Sequence, residues 1–222
     1  EALEVYSRFA QRLNNWLTAP TGAGILFETD YRLRPNGDSG LMVVNINMFE
    51  RYQLESAWFW EYQALTRARY CAGNTEVGAW FENCRRQILS TERDPDKVRQ
   101  EINEMRLKLQ AGHPNPTDLF DIKYDSGGMV DIEFCVQALV LSYSHQHPEL
   151  PDNTGNIALL ERAAQAGLLE HTLAHQCGDA YRHYRHLQHG MRMQNINKPR
   201  VPLETVSQQV LSVNHMCEIV LS

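Results

Sequence analysis

The sequence predicts a mainly α-helical chain, in which a small α/β part (about residues 1–47) precedes an antiparallel helical bundle (about residues 48–222). Apolar residues recur at spacings of three and four over most of the chain, which is the period of a helix. Residues 24–35 instead alternate with the period of two that is typical of strands, and residues 41–46 read as a second strand. In the last two long helical segments the apolar spacing runs four-three-four, which favours helices that pack nearly antiparallel.

Composition and charge disfavour several classes of protein. The chain has 222 residues, of which 43% are hydrophobic, and this is ample for a real core. Its net charge of −6 argues against a general nucleic-acid or membrane-surface binder, but it leaves room for a small basic pocket that holds a nucleotide. The five cysteines include no Cys-x-x-Cys pair, and no apolar run reaches membrane-spanning length. We therefore predict a reducing, cytoplasmic location and neither a membrane nor a nucleic-acid partner.

The α/β part is predicted to be one amphipathic helix followed by a β-hairpin. Residues 20–24 end the helix, residues 24–35 alternate like a strand, and residues 41–46 read as a second strand after an Asn-Gly turn signal. The chain begins inside the helix and without Met, so we expect it to be a fragment of a longer protein. The apolar stripe of the helix consists of Leu3, Tyr6, Ala10, Leu13 and Leu17.

The alternation within residues 24–35 places charged side chains in a row on one face of the predicted strand. Asp30, Arg32 and Arg34 share this face with Glu28, which is a further candidate for facing a cleft. A carboxylate beside two guanidinium groups suits a metal–nucleotide site, because the acid can hold a divalent cation and the guanidinium groups can bind phosphate. The alternative is an ordinary solvated strand face with alternating charges.

All later elements are predicted to be helices, apart from an irregular stretch over residues 112–128. Asp94 and Pro95 form a typical helix start, with an N-cap followed by proline in the first turn. The helix from Met129 to about His145 is apolar around so much of its circumference that we expect it to be central in the bundle. The predicted helical segments are residues 49–70, 77–88, 94–109, 129–145, 157–166, 173–191 and 206–220.

A second candidate site lies at the start of this apolar helix, where Gly127 and Gly128 occur together. On one interpretation, exposed amides of the two glycines and the nearby Lys123 present positive potential to a phosphate, so these residues bind nucleotide. On the other, the glycines only allow a sharp entry into the helix. The pattern does not decide between the two.

Three polar residues near the start of the same helix are candidates for a cleft. Asp131 is in the first turn, where the helix dipole favours an acid. Glu133 and Gln137 are four residues apart and share the polar side of an otherwise apolar helix. We expect this polar stripe to face a cleft or a partner and not the core.

Three segments, in this order, resemble the glutamine synthetase adenylyltransferase family. They are residues 30–43 (DYRLRPNGDSGLMV), residues 57–69 (AWFWEYQALTRAR) and residues 120–134 (FDIKYDSGGMVDIEF). The resemblance extends over most of the chain and is weakest near its C-terminus. The second and third segments are more similar to the half of these enzymes that transfers AMP than to the half that removes it.

The resemblance implies that residues 1–47 are the C-terminal part of a nucleotidyltransferase α/β fold. It also implies transfer of AMP from ATP to a tyrosine of glutamine synthetase, in the regulation of nitrogen assimilation. In this fold three carboxylates hold two Mg²⁺ ions, which brace the attacking oxygen and the leaving pyrophosphate. Asp30 matches the third carboxylate, a catalytic metal ligand, and Arg32 and Arg34 match arginines that are candidates for contact with phosphate.

The family's other two carboxylates come from a Gly-Ser…Asp-x-Asp motif, and the sequence contains no such motif. We therefore expect the chain by itself to be inactive. The resemblance also implies glutamine as a small-molecule ligand and the PII signalling protein as a partner. One alternative is a helical interaction module that docks glutamine synthetase or PII, and another is the related uridylyltransferase of PII, which matches less well.

Overall fold

The computed structural model describes residues 2–24, 29–31, 34–37, 40–152 and 155–222. Within these ranges the chain is mainly helical, as predicted, and no described helix combines the length and the apolarity needed to cross a membrane. The elements are α1 (Ala2–Thr18), α2 (Ile46–Glu55), α3 (Phe59–Leu65), α4 (Thr75–Leu89), α5 (Pro95–Gly112), β1 (Phe120–Asp121), α6 (Met129–Tyr143), α7 (Asn156–Gln165), α8 (His171–Met193), β2 (Arg200–Val201) and α9 (Ser207–Leu221).

Helix α6 is the centre of the helical core. It contacts α3, α5, α7, α8 and α9. Its residues Ile132, Cys135 and Leu141 have no solvent exposure. Because α6 is apolar on most of its circumference, other helices can cover it on several sides. The predicted central position of this helix is confirmed.

The remaining helices of the core pack on α6 and on one another. Helix α7 contacts α8, and α9 contacts both α8 and α5. Tyr184 of α8 is fully buried among them, and its hydroxyl donates a hydrogen bond of 2.9 Å to the carbonyl of Gly127. A tyrosine can be buried at this depth because its one polar group has a partner.

Side chains cap two helices at positions that the sequence makes recognisable. Asp94 accepts a hydrogen bond of 3.0 Å from the amide of Asp96, and Pro95 is the first helical residue of α5, as predicted. Asn74 caps α4 in the same way by accepting from the amide of Val77 at 3.0 Å. These caps fix the starting points of the two helices.

The predicted hairpin over residues 24–46 is not formed by the residues that the structure describes there. Residues 29–31 and 41–45 are not in strands, and α2 already begins at Ile46. Residues 25–28, 32–33 and 38–39 lie outside the described residues. The physical reason is that a lone two-stranded hairpin is only marginally stable, and no further strand lies beside it in the described chain.

The predicted helix over residues 49–70 is two helices, α2 and α3. Helix α2 closes where the amide of Ser56 donates to the carbonyl of Tyr52 at 2.9 Å. Helix α3 then begins because the carboxylate of Glu61 accepts from the amide of Trp58 at 3.2 Å, which satisfies a main-chain donor before the first turn. Helical spacing continued through this break, so the pattern alone did not reveal it.

Two short strands were not predicted. β1 pairs antiparallel with β2, with Phe120 opposite Val201 and Asp121 opposite Arg200. Residues 120–121 fall in the stretch that was predicted to be irregular, and two-residue strands are too short to show alternation. This β1–β2 ribbon connects the start of α6 with the connection between α8 and α9.

Helix α1 forms as predicted but exposes its apolar side. None of its residues is buried, and Trp16 is 70% exposed. Leu3, Tyr6, Phe9 and Leu13 are also exposed. A contiguous apolar surface of this kind is typical of a face that contacts another element or protein. The described part of the chain does not cover it.

The cysteines provide a test of this fold. Cys71 is exposed, and Cys84, Cys135, Cys177 and Cys217 are buried. Burial raises the pKa of Cys84 to about 11 and the pKa of Cys177 to about 12. At pH 8 these buried thiols stay protonated and unreactive, since the thiolate is the nucleophile.

We therefore predict that a thiol reagent such as dithionitrobenzoate modifies one cysteine rapidly at pH 8 and the other four only after unfolding. The absorbance of the released chromophore measures both phases. Cys71→Ser should remove the fast phase and leave the slow one. Rapid modification of several thiols in the folded Cys71→Ser chain would contradict this arrangement of the core.

Candidate functional site

Glu61 of α3 is a buried carboxylate that links α3 to α2. It is 3% exposed, and it accepts a hydrogen bond of 2.8 Å from the hydroxyl of Tyr52. Burial, and next the hydrogen bond to Glu61, raises the pKa of Tyr52. The Tyr52 oxygen in turn accepts from the amide of Asn36 at 3.3 Å. The segment of residues 30–43 is thus connected through Tyr52 to the segment of residues 57–69.

Polar side chains at the end of α3 and just after it contact α6. Gln63 donates to Gln137 at 2.9 Å, and the Arg67 guanidinium lies 3.7 Å from the carboxylate of Glu133. Tyr181 of α8 donates to the same carboxylate at 2.8 Å. We call this group of side chains the α3–α6 polar cluster. Its members are Gln63, Arg67, Glu133, Gln137 and Tyr181. Through it the segments of residues 57–69 and 120–134 come together.

Partial burial determines how strongly the charges of this cluster interact and how the pKa of Tyr181 changes. The side chain of Glu133 is 28% exposed and that of Arg67 is 44% exposed, so their ion pair is partly screened by water. Burial is the largest cause that raises the pKa of Tyr181, and the negative charge of Glu133 adds to it. Glu133 and Gln137 thus share the polar side of α6, and their side chains contact Gln63, Arg67 and Tyr181 of the same chain. That this side of α6 faces a cleft or a partner stays a prediction.

Asp131 does not face a cleft, and that prediction is wrong. It is 1% exposed, and its carboxylate accepts two hydrogen bonds from Arg106 of α5, at 2.6 and 2.8 Å. This bidentate contact, mainly through its hydrogen bonds, raises the pKa of Arg106. Burial of a carboxylate requires such a partner, and the partner lies on a helix that sequence spacing does not connect with α6.

The amides of Gly127 and Gly128 are not available to a phosphate, so the structural alternative is the correct one for them. The Gly127 amide donates to Asp131 at 2.8 Å, and the Gly128 amide donates to the carbonyl of Asp125 at 2.9 Å. Both glycines are buried. Gly127 has φ +89°, and a Cβ there would lie 2.8 Å from a methyl group of Val210 in α9. Glycine is required by the turn and by the close approach of α9.

The charged row of Asp30, Arg32 and Arg34 is only partly within the described residues. Asp30 is exposed. The Arg34 side chain donates to the carbonyls of Tyr31 at 2.7 Å and of Gly40 at 3.2 Å, so it binds its own loop. Glu28 and Arg32 lie outside the described residues. The described part of this row is a loop and not a strand face, and the roles of these residues remain predictions.

Sequence reasoning missed most of the residues around Lys123. Lys123 lines a pocket together with Gln188, Arg192, Lys198 and Arg200. The sequence did contain an indication of a basic site, since three of these cations fall within residues 192–200. The pairing of β1 with β2, which brings them to Lys123, could not be seen in the sequence.

The described residues do not by themselves complete a metal site. Within those ranges no group of three or more His, Cys, Asp or Glu side chains is close enough to hold a metal ion. Mg²⁺ prefers oxygen ligands and is often held by one or two protein carboxylates and several waters. Asp30, as an exposed carboxylate, has the right donor chemistry for one of these positions.

The turn at Gly127 gives a direct stability test. We predict that Gly127→Ala lowers the free energy of unfolding by about 1–3 kcal/mol, because alanine is strained at positive φ and its methyl group meets Val210. Gly190→Ala is the matched control, since Gly190 lies inside α8 with open space around it. That variant should raise the free energy by about 0.5–1 kcal/mol. Urea denaturation measures both, and equal effects would contradict the structural role of Gly127.

Two family models match this chain, each over a different range of residues. Residues 1–84 match the family model described as glutamate-ammonia ligase adenylyltransferase. Residues 96–213, more than half of the chain, match the model described as GlnD PII-uridylyltransferase. The first match covers α1 to most of α4, and the second covers α5 to the middle of α9.

Curated relatives have the name bifunctional glutamine synthetase adenylyltransferase/adenylyl-removing enzyme. One from Aromatoleum aromaticum is 54% identical over 88% of this chain and 21% of its own length. One from Bordetella bronchiseptica is 48% identical over 100% of this chain and 24% of its own length, and one from Neisseria meningitidis is 50% identical over 93% and 23%. The chain thus spans about a fifth to a quarter of the length of the curated relatives that it matches. Residues 1–84 therefore belong to the glutamate-ammonia ligase adenylyltransferase family, whose name the curated relatives also bear, and residues 96–213 belong to the family described as GlnD PII-uridylyltransferase.

Proposed function

We propose that this chain, as part of a longer polypeptide, takes part in the transfer of AMP from ATP to a tyrosine of glutamine synthetase. One observation carries the proposal. About half of the residues of this chain are identical to those of its adenylyltransferase relatives, and the alignments cover nearly the whole chain. The geometry supports it, because the three segments that resemble this family are connected through α3. Segments that act in one reaction have to be held together in this way.

Asp30 is the proposed metal ligand of this chain. Asp30 is exposed to solvent, and a carboxylate is a ligand that Mg²⁺ accepts. Mg²⁺, when bound, would stabilise the negative charge that develops on the transferred phosphoryl group. The Arg34 side chain donates to the carbonyls of Tyr31 and Gly40 and so links two described points on either side of it. Arg32 is proposed to contact phosphate directly.

Glu61 and Tyr52 are proposed as positioning residues for the same loop. The chain of hydrogen bonds from Asn36 through Tyr52 to Glu61 ties the end of the loop to a buried carboxylate. The α3–α6 polar cluster then ties α3 to the central helix. This arrangement would give Asp30 a rigid support, which a metal ligand needs.

The chain is proposed to be inactive when it is separated from the rest of the protein. It contains one proposed carboxylate ligand, whereas the resemblance implies three. The exposed apolar face of α1 supports the same view, since a further part of the protein would cover it. We retain the division into an α/β part (residues 1–47) and a helical part (residues 48–222) as a proposal.

The partners of the whole protein are likewise proposals. The names of the relatives support glutamine synthetase as the substrate protein. The match of residues 96–213 to the GlnD PII-uridylyltransferase model supports a relation to PII signalling, and we propose PII as a partner. ATP is the proposed nucleotide substrate, and glutamine is the proposed effector.

Asp30→Asn tests the proposal in the full-length polypeptide that carries this segment. Mutation of a residue that only hydrogen-bonds to a metal ligand typically lowers metal affinity or activity by about 10–100-fold. Mutation of the ligand itself should therefore lower the turnover by at least about 100-fold. The measurement is the incorporation of labelled AMP from ATP into purified glutamine synthetase. Asparagine keeps the shape and one acceptor oxygen of the aspartate, so the free energy of unfolding should change little.

Asp118→Asn is the matched control, because Asp118 is an exposed aspartate in the connection between α5 and β1. This variant should keep normal turnover and stability. If Asp30→Asn also kept near-normal turnover, the assignment of Asp30 as a metal ligand would be wrong.

A further inference from the structure

A cavity of about 360 Å³ lies between the end of α5, the β1–β2 ribbon and the C-terminal half of α8. Its lining includes Lys123 after β1, Gln188 and Arg192 of α8, and Lys198 and Arg200 at the start of β2. Four of these five side chains are cationic. In a chain with a net charge of −6 this is a local concentration of positive charge.

Only one of the four cations is neutralised by a carboxylate in the described chain. Arg200 lies 3.5 Å from Asp121, and both side chains are largely buried. Within the described ranges, Lys123, Arg192 and Lys198 have no acidic group at ion-pair distance. The Lys123 ammonium lies 4.6 Å from the centre of the Tyr124 ring, a cation–π contact that leaves its charge in place. Three positive charges at the cavity or its rim are therefore not neutralised by an acid of the described chain.

The carboxylate of Asp121, which also lines the cavity, is already engaged by groups of the chain itself. One oxygen of Asp121 accepts from the amides of Lys123 at 3.0 Å and Tyr124 at 3.2 Å, and the other is near Arg200. Asp121 is 5% exposed. The acid thus serves to hold the ribbon and the following turn, and the potential of the cavity stays positive.

Gln188 is the second, independent observation that points to a ligand. It is 4% exposed, it lines the cavity, and its Oε1 has no hydrogen-bond partner in the described chain. A buried polar atom without a partner costs about 1–3 kcal/mol. An apolar side chain of the same length would avoid that cost, so the amide is suited to a ligand that donates a hydrogen bond.

The main chain around the cavity is fixed. The amide of Ile122 donates to the carbonyl of Pro199 at 3.0 Å, which extends the β1–β2 ribbon. The carbonyl of Lys123 accepts from the amide of Val130 in the first turn of α6 at 3.2 Å. The positions from which Lys123 and Lys198 reach the cavity are therefore set before any ligand arrives, which lowers the entropic cost of binding.

We propose that this cavity binds a small phosphate ester. Lys123, Arg192 and Lys198 hold the phosphoryl group, and a hydroxyl of the ligand donates to Oε1 of Gln188. A phosphoryl group fits better than a single carboxylate because it carries up to two charges and three acceptor oxygens for three cations. A phosphate ester with a hydroxyl on its organic part can place its anion at the cations and a separate donor at Gln188, which inorganic phosphate can do only with a P–OH group of the anion itself. The proposal does not depend on the role of Asp30.

Calorimetric titration of the 222-residue chain with ribose 5-phosphate, inorganic phosphate and ribose tests this proposal. Ribose 5-phosphate should bind saturably and more tightly than inorganic phosphate, and ribose should not bind. Lys198→Ala and Arg192→Ala should each weaken both phosphate ligands by about tenfold or more, because each removes a charge-assisted hydrogen bond. Lys108→Ala is the control, since Lys108 is an exposed lysine of α5 that pairs with Glu104.

Gln188→Met separates a ligand-binding role from a structural one. It should reduce the preference for ribose 5-phosphate over inorganic phosphate, leave the binding of inorganic phosphate unchanged, and keep or raise Tm. The proposal is overturned if no phosphate ligand binds saturably, or if Lys198→Ala behaves like Lys108→Ala. It is also overturned if Gln188→Met lowers Tm and leaves the preference between the two ligands intact.

Discussion

The buried carboxylate of Asp131 is the contact on which the arrangement of this chain depends. It receives two hydrogen bonds from Arg106 of α5 and one from the amide of Gly127, all between 2.6 and 2.8 Å. One side chain thus connects α5, the start of α6 and the turn that precedes it. A buried ion pair adds little net stability compared with apolar residues of the same shape, but loss of one partner leaves an uncompensated buried charge. We infer that this contact selects one arrangement of these three elements.

The elements on both sides of this contact take their positions from it. On one side, the turn places Lys123 and β1 against β2, and the cationic cavity forms there. On the other, α6 presents Glu133 and Gln137 to α3, so that the α3–α6 polar cluster can form. Helix α3 then reaches the loop of Asp30 through Glu61 and Tyr52. The proposed adenylyl-transfer role and the proposed phosphate-ester site thus share one central helix.

The sequence predicts the features that depend on neighbours along the chain. The burial of α6, the cap at Asp94 and the common face of Glu133 and Gln137 all follow from local spacing or local chemistry. The partner of Asp131, 25 residues away, and the partner of Asp121, 79 residues away, depend on tertiary packing. Helical spacing indicates which face a residue occupies but not which helix covers it. For this reason Asp131 was predicted to face a cleft, and the β1–β2 ribbon was missed.

The glycine pair illustrates the same limit at the candidate site. A Gly-Gly helix start has the same sequence whether its amides bind a phosphate or an internal carboxylate. The structure distinguishes the two because the Gly127 amide already has Asp131 as its acceptor and α9 closes over the turn. The missing information was the fold of α5 and α9 around this point.

A double-mutant cycle between Asp131→Asn and Arg106→Gln tests the central contact most directly. Urea denaturation of the two single variants and the double variant gives their coupling free energy. The account predicts that each single variant is destabilised by about 3–5 kcal/mol, because each leaves a buried group without its partner, and that the double variant is less unstable than the sum by at least about 1 kcal/mol. Effects that add within about 0.5 kcal/mol would show that the two side chains act independently, and would contradict the account.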